Sequence, residues 1–231
     1  MLIVKPIEDK KIQEEVCTAC GAEDPAYATG AVIEVGSCNA YPGDTITIPV
    51  SLKNNDGIAS IKFTVSYDAN CLEYQGASFT EELTGLSNTV AVNDETTGKV
   101  TMSWVIGASG EYTGSETIAN LKFKVKEVLE NTSAQVSLTY AADSTFNNGL
   151  VDKKFLIKNG TVQIGQYRPG DINGDGTVDV NDALLLLNYV CDLRKDEVKG
   201  NPDVNGDGAV NNKDVVILLR YIAKFEGITL Y

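Results

Sequence analysis

The chain has 231 residues, a formal net charge of −13, no histidine and 43% hydrophobic residues. This length allows one or two domains with sizeable cores. So acidic a chain is poorly suited to nucleic acid, because phosphates are bound by basic patches. No apolar run reaches about 18 residues, so the sequence predicts no membrane span.

The first 29 residues combine a charged stretch with a CxxC motif at Cys17 and Cys20. This composition predicts a leader or linker over residues 1–29, largely without fixed structure. The apolar run after Met1 is too short for the core of a signal peptide, and none is visible in the chain. Without histidine, a zinc site would need both thiolates and two more, such as those of Cys38 and Cys71. A local disulfide or free thiols are the alternatives.

From residue 31 onward, apolar and polar residues alternate with a period of two, as along Thr45–Lys53. This pattern is typical of half-buried strands, and Pro/Gly/Asn/Asp turns separate the runs. The predicted strands are Ala31–Val35, Thr45–Lys53, Ile58–Tyr67, Cys71–Tyr74, Thr89–Asn93, Lys99–Ile106, Thr117–Val128, Gln135–Ala141 and Gly160–Ile164. Nine short strands without a long helix predict an all-β sandwich.

Four segments of this region resemble strands of a type I-like cohesin, the jelly-roll receptor of dockerins. They read YPGDTITIPVSLKN, GIASIKFTVSYDANCLEYQGAS, TIANLKFKVKE and KNGTVQIG. The resemblance implies a cohesin-like β-sandwich over residues 30–165 that binds a dockerin-bearing enzyme or structural protein on one sheet face. That face would carry outward residues of the strands near Ile58–Tyr67, Thr89–Asn93, Lys99–Ile106 and Gln135–Ala141. By alternation we predict partner contacts at Ser60, Lys62, Asn93 and Glu111, the last in the loop after Ile106. Lys62 stands where many type I cohesins carry an acidic residue, which indicates a different partner; an ordinary solvated lysine is the alternative.

An acidic segment occurs twice, as DINGDGTVDVNDALLLLNY from Asp171 and DVNGDGAVNNKDVVILLRY from Asp203, 32 residues later. Each copy places oxygen donors at loop positions 1, 3, 5, 7, 9 and 12, with glycine at position 6. This is the spacing of a calcium loop, because Ca²⁺ binds six to eight oxygens. The predicted ligands are Asp171, Asn173, Asp175, Thr177 (carbonyl), Asp179 and Asp182, then Asp203, Asn205, Asp207, Ala209 (carbonyl), Asn211 and Asp214. The cofactor prediction is therefore two structural Ca²⁺ ions.

Proline and glycine precede each loop, so no helix enters it and each unit is a half EF-hand. Paired loop–helix units of this kind resemble a dockerin, the calcium-folded module that plugs into cohesins. The resemblance implies a small all-α dockerin over residues 166–231 that binds a scaffoldin cohesin. Only residues 166–170 separate the sandwich from Asp171, the first predicted ligand, and they reach at most roughly 18 Å.

Two helices follow the loops, predicted at 181–193 and 212–225. Their apolar residues and Cys191 are predicted to be core. In dockerins, loop positions 10 and 11 and outward helix positions select the partner. These are Val180, Asn181, Asn188 and Asp192 in the first copy and Asn212, Lys213, Arg220 and Lys224 in the second. Because the copies differ, we predict one preferred orientation, with the basic second face the favoured contact; exposed charges without a role are the alternative.

The predicted function is a non-catalytic, calcium-dependent adaptor of a cellulosome-like complex that supports polysaccharide degradation, secreted and associated with the cell surface. The alternative is a carbohydrate-binding sandwich joined to a dockerin, using aromatic side chains such as Trp104, Tyr41, Tyr74 and Tyr112. No strand carries aromatic residues at a period of two, which is unfavourable for that alternative. Glycoside hydrolysis would need two placed carboxylates, and the sandwich sequence shows no such constellation.

Overall fold

The computed structural model describes residues 30–94, 96–106 and 110–231. The predicted leader, with Cys17 and Cys20, lies outside this range. The strands are β1 Val32–Val35, β2 Cys38–Ala40, β3 Thr45–Lys53, β4 Ser60–Tyr67, β5 Leu72–Phe79, β6 Ser87–Asn93, β7 Lys99–Ile106, β8 Thr117–Val125, β9 Thr132–Tyr140, β10 Leu156–Lys158 and β11 Gly160–Ile164. The α-helices are α1 Glu81–Leu86, α2 Val180–Val190 and α3 Asn212–Ile222.

The strands form two sheets that pack face to face. One sheet has the order β10-β1-β3-β8-β5 and the other β2-β11-β9-β4-β7-β6. Pairing is antiparallel except where β1 meets β10 and β2 meets β11. The four strands predicted to carry the partner face are consecutive in the second sheet, in the order β9-β4-β7-β6.

Alternation along the strands builds the sandwich core. Ile48, Val50 and Leu52 of β3 are fully buried, as are Met102 and Trp104 of β7. The residues between them face outward, as the period of two requires. Burial of this apolar surface is the main force that holds the sheets together.

Three elements were not predicted from the sequence, namely β2, β10 and α1. The two strands have three residues each, too few for alternation to be visible. The helix α1 holds one buried residue, Leu83, so it lacks an apolar stripe. Predicted strand bounds were correct for β3, β7 and β11, whereas β5 extends to Phe79 instead of Tyr74.

The helical module follows β11 and has its own small core. Ile172 and Val204 from the two loops pack with Leu185, Leu186 and Leu218 of the helices. Both helices begin with a capping box, in which Asp179 or Asn211 is the N-cap and an aspartate stands three residues later. Within the described ranges, no helix combines the length and apolar character that crossing a membrane requires.

Candidate calcium and partner-binding sites

The first acidic loop is wrapped around the carboxylate of Asp171, which is 2% exposed. One of its oxygens accepts hydrogen bonds from the amides of Gly174 (2.8 Å) and Asp175 (3.1 Å), and the other from Gly176 (3.0 Å). Gly174 and Gly176 have φ of 72° and 87°. Only glycine adopts this left-handed backbone without cost, so the two glycines permit the tight turn.

Asp182 closes the loop from the first turn of α2 and is 0% exposed. Its Oδ1 accepts from the amides of Ile172 (2.8 Å) and Asn173 (3.1 Å), and its Oδ2 accepts from Asp179 (2.8 Å). Burial raises the pKa of the Asp182 carboxyl, although these amides favour the ionised form. The carboxylate therefore occupies a place where a nearby cation would offset the cost of burying its charge.

The second loop repeats this arrangement with its own residues. Asp203 accepts from the amides of Gly206 (3.0 Å) and Gly208 (2.9 Å). Asp214, 0% exposed, accepts from Asn205 (3.2 Å) and Asn211 (2.9 Å). Two loops of different sequence thus fold to the same internal geometry.

The donors of each loop are all oxygens, the ligands that Ca²⁺ prefers. Asp175 and Asp207 at position 5 are exposed, whereas Asp171, Asp182 and Asp214 are buried and Asp203 is half-buried. The position-9 residues Asp179 and Asn211 also serve as helix N-caps. Among the described residues, no group of three Asp, Glu, His or Cys side chains by itself forms a metal cluster. The loops fit calcium through a mixed set of carboxylate, amide and carbonyl oxygens.

The helices present apolar side chains to solvent that the sequence prediction had placed in the core. Leu184 is 53% exposed and Leu187 42%, while Val216 is 50% and Leu219 44%. These are equivalent positions of the two copies, because 184 + 32 = 216 and 187 + 32 = 219. Each helix therefore has an outward apolar pair at the same place, suited to burial against a partner.

The prediction that Cys191 belongs to the core is also wrong, since Cys191 is exposed at the end of α2. An 11-residue helix ends at Val190, whereas the prediction continued it to Leu193. Cys191 is the C-cap residue, so it lies just beyond the last helical residue. Its apolar neighbours in sequence did not reveal this, because the helix end was placed three residues too late.

The predicted contact residues surround these apolar pairs. Val180 and Asn181 are exposed at the start of α2, and Asn188 is half-buried. On α3, Asn212, Lys213 and Arg220 are exposed, and Lys224 is exposed two residues after the helix ends. The Lys213 ammonium lies 3.5 Å from Asp207, and Arg220 and Lys224 lie over the rings of Phe225 and Tyr221. The second face therefore carries three cations, and the first face is close to neutral.

The sandwich face predicted for partner binding carries serine and threonine hydroxyl groups. Lys62 is exposed on β4, opposite Ser103 of β7. Asn93 of β6 is exposed opposite Thr101, so strand register places both on one face. Glu111 lies in the loop after β7, as predicted, and its carboxylate accepts from the amide of Asn148 at 2.8 Å.

Ser60 lies on the same side of β4 as Lys62 but is covered, so it is not the exposed contact that alternation predicted. It is 4% exposed, and its hydroxyl donates to the carbonyl of Ser144 at 2.9 Å. The segment around Phe146 pairs with the start of β4 and covers it. Sequence alternation cannot detect cover supplied by a segment more than eighty residues away.

Ser60→Ala should therefore leave partner affinity unchanged while lowering the free energy of unfolding by about 1 kcal/mol, the usual contribution of one hydrogen bond. Lys62→Glu, on the exposed face, should change affinity for a bound dockerin and leave stability nearly unchanged. Calorimetric titration and thermal unfolding of the two variants test this pair. A loss of affinity in Ser60→Ala at unchanged stability would contradict the placement of Ser60.

The aromatic candidates for a glycan platform do not form one. Trp104 is 0% exposed and Tyr112 3%, with their rings in edge-to-face contact. Tyr74 stacks on Tyr67 and is half-buried. The guanidinium of Arg168 lies 5.5 Å from the centre of the Tyr41 ring. These rings serve packing, which is unfavourable for the carbohydrate-binding alternative.

Comparison with known families agrees with both parts of this geometry. The family model described as "Cohesin domain" matches residues 31–164, more than half of the chain. This chain belongs to the cohesin family. The model described as "Dockerin type I domain" matches residues 169–223, so a type I dockerin follows the cohesin. Cohesins and dockerins are non-catalytic interaction modules, and type I dockerins generally bind calcium.

A curated relative is Cellulose-binding protein A from Clostridium cellulovorans, 29% identical over 126 residues. The match covers 50% of this chain but 6% of that protein, so the chain spans a small part of its length. Both modules are of the kinds found in cellulosomal proteins. Cellulosomal proteins of this kind are typically extracellular.

Solved structures show the same sandwich fold. The sixth cohesin of scaffoldin B from Acetivibrio cellulolyticus, solved in complex with a Cel5 dockerin, is 24% identical with a TM-score of 0.51, covering 59% of this chain and 99% of that one. A type I cohesin–dockerin complex from Clostridium thermocellum is 20% identical with a TM-score of 0.53, and the match covers 58% of this chain and 99% of that one. A non-cellulosomal cohesin from Archaeoglobus fulgidus is 24% identical with a TM-score of 0.50, and the match covers 58% of this chain and 91% of that one. At these identities the likeness is one of fold.

Proposed function

We propose that the chain is a calcium-dependent adaptor that joins a dockerin-bearing enzyme or structural protein to a scaffoldin, in support of polysaccharide degradation outside the cell. Residues 30–165 form the cohesin that binds the dockerin of a partner, and residues 166–231 form the dockerin that binds a scaffoldin cohesin. Residues 1–29 are a leader. The observation that carries the proposal is the presence of a cohesin and a type I dockerin in one chain. A chain with both halves of a receptor–plug pair can connect two other proteins.

Calcium has a structural part in this proposal. The six oxygen donors of each loop, from Asp171 to Asp182 and from Asp203 to Asp214, would hold one ion apiece. A bound ion supplies charge compensation for carboxylates that the fold buries. Because the unfolded chain lacks these sites, ion binding stabilises the helical module. The loops thereby fix the directions of α2 and α3, on which the proposed contact side chains are carried.

The docking surfaces are proposed from exposure and charge. On the dockerin, the first surface consists of the outward apolar pair of α2 together with Val180, Asn181 and Asn188. The second surface consists of the outward apolar pair of α3 together with Asn212, Lys213, Arg220 and Lys224. On the sandwich they comprise Lys62 and Asn93, with Glu111 beside the sheet. Because the dockerin faces differ in charge, a given cohesin should prefer one orientation, and the basic face suits an acidic cohesin surface.

The adaptor must also avoid recognising itself, since head-to-tail binding between copies would generate rings or filaments. Lys62 on the sandwich and the three cations on the second helical face carry charge of the same sign. Their repulsion opposes self-association in that orientation. A monomeric mass at high concentration with calcium is the expected result for the purified chain.

Capture experiments on the full chain test the function. The chain should retain cohesins of scaffoldins in calcium and release them in chelator, and it should retain dockerin-bearing enzymes through the sandwich. Soluble and insoluble glycans should not be retained. Retention of glycan without any dockerin would replace the proposal by the carbohydrate-binding alternative.

A further inference from the structure

The segment between the modules, residues 165–170 (the linker), is held against the sandwich by side chains on both sides. The Nη2 of Arg168 lies 2.6 Å from the Oδ1 of Asp44, and both side chains are about one-third exposed. The other Asp44 oxygen accepts from the amide of Tyr41 at 2.9 Å. Arg168 also covers the Tyr41 ring. A charge-assisted bond that also stacks on an aromatic ring fixes this arginine in one direction.

The linker backbone is fastened to the same end of the sandwich. The amide of Gly165 donates to the carbonyl of Ala40 at 3.0 Å, and the amide of Gln166 donates to Asn131 Oδ1 at 2.8 Å. A Cβ at Gly165 would lie 2.7 Å from the Tyr41 ring, so glycine allows this close approach. Consecutive linker residues thus extend the contacts of β2 and β11 beyond the last strand.

The same residues also hold the first calcium loop. The carbonyl of Arg168 accepts from the amide of Asp171, the first predicted ligand, at 3.0 Å. The Tyr167 ring lies beside Gly174, close enough that a Cβ there would be 2.9 Å away. Arg168 is therefore three residues from the first ligand along the chain and in direct contact with the sandwich. The first calcium loop and the sandwich are therefore joined through a short segment that contacts both.

We propose that this linker couples the modules energetically, so that calcium binding in the first loop stabilises the cohesin sandwich through Arg168 and Asp44. The inference rests on the proposed calcium function. Coupling between sites is reciprocal, so the sandwich contact should in turn raise the calcium affinity of the first loop. Calcium would then maintain the receptor as well as the plug. Arg168 and Asp44 are positioning residues in this account.

The chain offers a clean reporter for the experiment. Trp104 is its single tryptophan, and it is buried in the sandwich, so tryptophan fluorescence follows unfolding of that module. Far-UV circular dichroism follows the helices in the same sample. In the full chain, calcium in place of chelator should raise the unfolding midpoint seen by Trp104 by about 2 °C or more, the shift expected for a modest stabilisation at this size.

Arg168→Ala should abolish this calcium-dependent shift and weaken calcium binding at one of the two loops about fivefold, the lower end of measured couplings. Asp44→Asn, which keeps an acceptor for the Tyr41 amide, should reduce the shift in the same way. Lys53→Ala is the matched control, because it breaks an ion pair with Glu34 on the sandwich away from the linker and should keep the shift.

The outcomes separate the two proposals. If calcium leaves the helical signal unchanged in the unmodified chain, the proposed calcium function fails. If calcium stabilises the helices but not Trp104, the coupling is wrong and the function stands. An undiminished shift in both Arg168→Ala and Asp44→Asn would likewise overturn the assignment of these residues.

Discussion

Asp182→Ala is expected to remove one of two calcium ions and to unfold the first loop–helix unit. The substitution takes away a predicted ligand and leaves three backbone donors, those of Ile172, Asn173 and Asp179, without their acceptor. Buried unpaired donors cost about 1–3 kcal/mol each, so the free energy of unfolding of the module should fall by at least about 3 kcal/mol. Calorimetric titration should give a stoichiometry of one, and the helical signal should decrease.

Asp192→Ala is the matched control, because Asp192 is exposed after α2 and forms an ion pair with the exposed Lys195. Such exposed pairs contribute little, so this variant should bind two ions. Asp214→Ala should likewise remove one calcium ion and unfold the second loop–helix unit. Two ions bound by Asp182→Ala with unchanged affinity would show that Asp182 is not a ligand.

Trp104→Ala is expected to lower the free energy of unfolding of the sandwich by about 3–5 kcal/mol, the cost of removing a large buried aromatic side chain. Trp104 is fully buried and its Nε1 donates to the carbonyl of Leu83 at 2.7 Å. The substitution leaves a cavity and also releases the bond that holds α1. Denaturant unfolding followed by circular dichroism measures the loss.

Trp104→Phe separates the two contributions, since it retains most of the ring and removes only the N–H donor. We expect it to cost about 1–3 kcal/mol, because the Leu83 carbonyl loses its partner. If Trp104 were instead a sugar-binding platform, Trp104→Ala would weaken glycan retention at unchanged stability. That result would contradict the packing role.

Much of the fold could be predicted because strong local patterns determine it. The strands Thr45–Lys53 and Lys99–Ile106 alternate without interruption, and their predicted bounds match the structure. The calcium loops follow from spacing, since the donor positions and the glycines are local in sequence. The structure places these donors in two matching loops, while their binding of calcium stays a prediction.

Other features depend on contacts that local patterns do not contain. Ser60 is covered by the segment around Phe146, and Tyr41 is covered by Arg168. The four consecutive leucines 184–187 cannot all face the core of a helix, yet the sequence alone did not show which two face outward. Comparing the copies does not identify Leu184 and Leu187, because the equivalent residues 216–219 of the second copy are also apolar throughout.

The central claim is that one chain holds two protein partners at once. The most direct measurement is the mass, by light scattering after size-exclusion chromatography, of a mixture of the full chain, a scaffoldin cohesin and a dockerin-bearing enzyme. The account predicts a 1:1:1 complex in calcium, which loses the scaffoldin cohesin in chelator. Two binary complexes that exclude each other, or a mass independent of calcium, would contradict it.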